Sequence, residues 1–117
     1  MNAHDIRSAL AGLPVMKFHE FAKFNRGTVG IFRAGAGTSP WELHPDDDEL
    51  LHVLEGEVEI TVLTDEGPLT VDVSAGSLFV VPRGHWHRHR VRESLVELYV
   101  TPGATHHSSG DDPRAGR

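Results

Sequence analysis

A chain of 117 residues holds one core of ordinary size, and 38% hydrophobic and 24% charged residues with twelve glycines and seven prolines describe a turn-rich folded domain, not a helical bundle or a disordered chain. The net charge of -6 excludes a basic nucleic-acid-binding surface, and the absence of cysteine excludes thiol catalysis, thiolate metal ligation and disulfides. Any metal must be held by imidazole and carboxylate. No apolar run of about 18 residues offers a membrane span, and the stretch MNAHDIRSALAGLP lacks the charged-then-apolar pattern of a secretory leader, so a cytoplasmic location is expected.

Taken in order, residues 5–13 place Ile6, Leu10 and Leu13 at helical spacing, with Asp5 as N-cap and Pro14 as stop, which predicts one short amphipathic helix. Val15, Phe18, Phe21 and Phe24 then recur every three residues, a spacing that suits a helical turn or an irregular strand equally. Residues 28–34 (TVGIFRA) predict a strand, closed by a loop from Gly35 to Pro40. Short strands follow at 41–44 and 49–54, then a turn at Glu55, Gly56 and Glu57. Val58, Ile60 and Val62 alternate with polar neighbours and bury one face; after a turn at Asp65 to Gly67, Leu69, Val71 and Val73 do the same. Residues 77–81, 85–92 and 95–101 complete about eight short strands with no long helix between them. That pattern predicts an all-β antiparallel sandwich or barrel and excludes parallel α/β folds. The tail GATHHSSGDDPRAGR is small and polar, so a single domain over 1–102 and a disordered tail over 103–117 are expected.

Two stretches carry the chemistry. In ELHPDDDE, Glu42 and His44 lie two apart and share a strand face, and Glu49 follows with four residues between it and His44. In GSLFVVPRGHWH, Gly76, Pro82 and Gly84 make a strand and a tight turn that aims His87 inward. Together they resemble the paired motifs of the cupin family. The first motif there reads HxH, three or four residues, E, six residues, G; here Glu42 replaces the first histidine, while His44, Glu49 and Gly56 match. The second reads G, five residues, P, x, G, two residues, H, three residues, N; Gly76, Pro82, Gly84 and His87 match, and Val91 replaces the asparagine.

The resemblance implies a double-stranded β-helix, a jelly-roll barrel with metal ligands inside near one mouth. Carried over by position, it implies a divalent transition metal (Fe, Mn, Ni or Zn) on His44, Glu49 and His87, with Glu42 as a fourth ligand or turned away. Two histidines and one carboxylate are the set used by non-haem Fe(II) oxygenases. The expected function is metal-dependent action on a small organic molecule, dioxygenase-like or isomerase-like, with Glu49 able to serve as a catalytic base. The alternative is a noncatalytic ligand-binding or sensory module.

The remaining candidates have plainer readings. His89 shares a face with His87 and either supports the ligand, contacts a substrate or is simply half-buried. His85 is expected at the surface, His106 and His107 without structural role, and Asp46 to Asp48 as a solvated turn. Arg88, Arg90 and Arg92 alternate onto a solvated face. Trp41 and Trp86 point away from Glu42 and His87, toward packing or an interface. His52 faces outward with Leu50 and Leu54, an apolar outer face that predicts a homodimer, with no nucleic-acid or membrane partner.

Overall fold

The computed structural model describes residues 1–114. One helix, α1 (Ile6–Ala11), precedes eight strands: β1 (Lys17–Phe24), β2 (Gly27–Thr38), β3 (Trp41–Leu43), β4 (Glu49–Thr64), β5 (Gly67–Ser74), β6 (Leu78–Val81), β7 (His87–Thr101) and β8 (His106–Ser108). Asp5 caps α1 as predicted, its carboxylate accepting from Ser8 N at 3.1 Å. Arg33 on β2 then binds the helix's far end, donating to Leu10 O at 3.1 Å and Leu13 O at 2.8 Å. The stretch left open between helix and strand is strand β1, paired antiparallel with β2.

Every strand pair is antiparallel, and the topology is a jelly-roll barrel, as expected. Strands β4 and β7 organise it, because they pair with each other along most of their length and each serves both layers. The first half of β4 pairs with β6 and the second half with β5. Likewise β7 pairs with β2 from Arg90 to Thr101, and at its first residue with β3. One layer therefore runs β1, β2, β7, β4, β6, and the other β8, β3, β7, β4, β5.

Three expectations are corrected here. The turn at 55–57 and the break at 93–94 are bends inside continuous strands, with register shifts at Val53/Glu55 and Gly56/Glu59. A glycine between two glutamates has the chemistry of a reversal, but both strands bend together and stay paired. Gly56 has φ of +79°, and a Cβ there would lie 2.1 Å from Ser94 O, so only glycine permits this approach. Strand β2 also continues through Thr38, across the expected loop, because residues 37 and 38 pair with Val91 and Arg90.

The third correction concerns the tail. Residues 103–114 carry β8, which pairs with β3, and Trp41 Nε1 donates to Asp111 O at 3.1 Å. Composition argued for disorder, yet β3 offers an open edge whose backbone groups need partners, and the tail supplies them. Residues 115–117 of the expected disordered tail lie outside the described residues.

Alternation sets the core as predicted. Leu51, Val53, Val58, Ile60, Val62, Val73, Val81, Val91 and Leu95 form one buried cluster, each side chain contributing roughly 1.5–3 kcal/mol by leaving water. Trp41 and Trp86 pack with Leu63 in a second cluster. Among the described residues, no helix is long and apolar enough to cross a membrane.

Candidate metal centre

Strand pairing assembles the site from both motifs. Glu42 on β3 lies directly opposite His87, the first residue of β7, so the two share a face. His44 follows the end of β3, and its carbonyl accepts from Gly84 N at 2.7 Å. The acidic turn that follows is tied to the second motif, Asp48 accepting from Arg83 N at 2.9 Å. Asp47 pairs with Arg26, so this turn anchors neighbouring loops. Glu49 opens β4 opposite Val81.

His44, Glu49 and His87 converge, all three buried, with donor atoms within 4.8 Å of one another. His44 Nε2 and His87 Nε2 stand 3.3 and 3.2 Å from Glu49 Oε1, yet neither nitrogen has a hydrogen-bond partner. The opposite edges of the rings explain why. His44 Nδ1 lies 2.9 Å from Thr105 Oγ1 and 3.4 Å from Ala104 O, and His87 Nδ1 lies 3.4 Å from His85 O. A carbonyl only accepts, so each Nδ1 carries a hydrogen, and the tautomer that binds a metal, neutral with Nε2 bare, is the one these contacts select. Lone pairs facing a carboxylate oxygen in a dry site repel unless a cation lies among them. Donors bound at about 2.1 Å at right angles stand about 3 Å apart, so the observed spacing suits a shared divalent ion.

Without an ion, the same closeness favours a proton on the imidazole, at the place a cation would take. Burial pushes the His44 imidazole down, but its contact with Glu49 outweighs this and leaves its pKa raised. Burial pushes the Glu49 carboxyl up, and His44 and His87 more than reverse it, holding it far below the usual carboxylate range. Thr101 Oγ1 donates to the other Glu49 oxygen at 2.6 Å, fixing the carboxylate's orientation.

Glu42 is the site residue that the structure does not bring into the group. Its side chain is 31% exposed and lies 3.7 Å from His107 Nε2 on β8, although its charge still acts on His44 and His89. His89 is inward, its ring 6.3 Å from that of His87, and its Nε2 lies 3.1 Å from both oxygens of the buried Glu97. Burial lowers the His89 pKa and Glu97 overcomes it, raising the value to about 9.

Sequence reasoning passed over Glu97, Thr101 and Thr105. Glu97 and Thr101 share the inward parity of Leu95 and Tyr99 on β7, a signal present in LVELYVT. Thr105 had none, since its position comes from the β3–β8 pairing.

The cupin domain family model matches residues 28–102. The chain belongs to the cupin family. This cupin is 35% identical over 81 residues to germin-like protein subfamily 2 member 2 of Arabidopsis thaliana, covering 68% of the chain and 37% of that relative. It thus spans little more than a third of that relative's length. The fold matches a cupin-2 domain protein of Shewanella frigidimarina with TM-score 0.68 and 22% identity, over 82% of this chain and 89% of the other. It also matches a hydroquinone 1,2-dioxygenase in complex with Cd2+ and 4-hydroxybenzonitrile, with TM-score 0.67 and 21% identity, over 86% of this chain and 72% of that one.

Proposed function

We propose that this cupin binds a divalent transition ion (Fe, Mn, Ni or Zn) through His44, Glu49 and His87 and acts on a small organic molecule, with dioxygenase chemistry as the reaction its donors suit best. The observation that carries the reading is the convergence of two unpartnered, buried histidine Nε2 atoms on one carboxylate oxygen. When bound, such an ion supplies Lewis acidity and open positions for substrate and dioxygen. The protein's own groups do the rest. Glu49 is held by Thr101 and kept ionised by the two histidines, which suits a ligand. His89, steadied by Glu97, contacts the substrate beside His87, and Glu42 stays off the ion as a nearby negative charge. A cleft of about 360 Å³ is lined by Arg26, Asp47 and Thr101, the residue that hydrogen-bonds Glu49. The same reading makes the protein a cytoplasmic homodimer, joined through its apolar outer face.

A noncatalytic ligand-binding cupin is the second reading, favoured by Glu42 standing away from the cluster where the family's motif has a histidine. Metal-free protein titrated with Fe(II), Mn(II), Ni(II) and Zn(II) against a chromophoric chelator should take up one ion, and His44→Ala and His87→Ala should each abolish uptake. A wild-type protein that takes up none of these ions overturns the metal reading. Oxygen consumption by the Fe(II)-loaded protein with diketones, flavonols, thiols or aromatic hydroxy acids supports the oxygenase; binding of metal with no consumption across the panel supports the module.

A further inference from the structure

We propose that the C-terminal segment 103–114 is a working part of the metal centre, with Thr105 a positioning residue that holds His44 in ligating form; the proposal rests on the metal reading above. His44 lies just past the end of β3, where Gly84 N fixes its carbonyl but leaves its imidazole to be oriented from elsewhere. The partner of its Nδ1 comes from the tail. Thr105 Oγ1 lies at 2.9 Å and the Ala104 carbonyl at 3.4 Å, so the ring hydrogen is held on Nδ1 and Nε2 is left free toward Glu49. His87 differs, since the carbonyl facing its Nδ1 belongs to His85, two residues back on its own chain segment.

The tail is placed by more than this one contact. β8 pairs with β3 at Trp41↔Ser108, Glu42↔His107 and Leu43↔His106. Beyond it, Trp41 Nε1 donates to Asp111 O at 3.1 Å, and Arg114 Nη1 donates to Thr64 O at 3.4 Å. The segment thus returns along the wall of the barrel that carries His44 and Glu42, and it also brings His107 Nε2 within 3.7 Å of the Glu42 carboxylate. No residue of the segment belongs to the main core cluster. It is held to the barrel by the β3–β8 ladder, by the Trp41 and Arg114 hydrogen bonds and by buried Pro113, and through Thr105 it reaches the site. A histidine ligand that loses the group orienting its far nitrogen typically loses about 10–100-fold in metal affinity.

The test compares full-length wild type with Thr105→Val, Thr105→Ser and His107→Pro, the last breaking the β3–β8 ladder. Zn(II) and Mn(II) affinities are measured by chelator competition, with His44→Ala as reference and metal-free thermal melts as the check on folding. Thr105→Val and His107→Pro should each bind about 10–100-fold more weakly, while Thr105→Ser, which keeps the hydroxyl, should bind close to wild type. Wild-type affinity in a folded Thr105→Val overturns the proposal and leaves the metal reading standing, provided His44→Ala abolishes binding. Absence of uptake by the wild type overturns both. If His107→Pro does not fold, the contrast between Thr105→Val and Thr105→Ser decides the question by itself.

Discussion

His89 and Glu97 form a buried pair whose energetics depend on pH. A histidine whose folded pKa lies above its unfolded value stabilises the fold while protonated. Its contribution is complete below pH 6.5 and is lost as the pH rises through about 9. In metal-free protein, the stability difference between wild type and His89→Gln should therefore be largest below pH 6.5 and shrink above pH 9, by up to the order of 3 kcal/mol. Denaturant titrations at the two extremes measure it, and a difference that stays constant with pH would show that the pair is not held by charge. The same residues show what single positions reveal. That His44, Glu49 and His87 come together was legible in two motifs, each with its own local spacing, although the two lie far apart in the chain. Glu97 was written into an alternating strand and overlooked. Glu42, read as a fourth ligand or as turned away, lies opposite His87 with its carboxylate toward His107, in a segment whose composition argued against any fixed position.

Elements proved less legible than the clustered residues, and the reason is geometric. Local chemistry marks where a chain departs from a straight strand; it does not say whether the chain bends or reverses. Glu55 to Glu57 bends because β7 follows it through the curve, and the outward Glu57 and Glu59 meet Arg90 and Arg92 across that strand pair. Two glycines separate the contributions of backbone angle and of close approach. Gly84 has φ of +76° with open space around it, so Gly84→Ala should cost about 1–2 kcal/mol through backbone strain alone. At Gly56 an added Cβ would also lie 2.1 Å from Ser94 O, so Gly56→Ala should cost clearly more. Urea midpoints of the two variants test this, and equal losses would show that close approach of the bent strands is not what requires glycine.

At the scale of the whole molecule, the outer face of the β6–β4–β7 layer is the feature to explain. Leu78 and Val80 are 59% and 46% exposed, and they flank half-buried Leu50, His52, Leu98 and Val100 on the same face. Apolar faces of this kind mark contacts between chains. Light scattering at micromolar concentration should give a dimer mass, and the double variant Leu78→Lys, Val80→Lys should give a monomer; a monomeric wild type refutes the contact.

The lengthwise pairing of β4 with β7 also governs how the protein gains and loses its centre in time. Glu49 and His87 lie 38 residues apart in sequence, and β2 meets β7 at Thr28↔Thr101, so the fold is dominated by distant contacts that form slowly. His44 and Glu49 are near neighbours before folding begins, but His87 joins them only when β7 docks. An ion held by all three would therefore find its site after the slow step has passed. It would do little to hasten folding and would act chiefly as a brake on unfolding, which unfolding rates measured with and without Zn(II) would show.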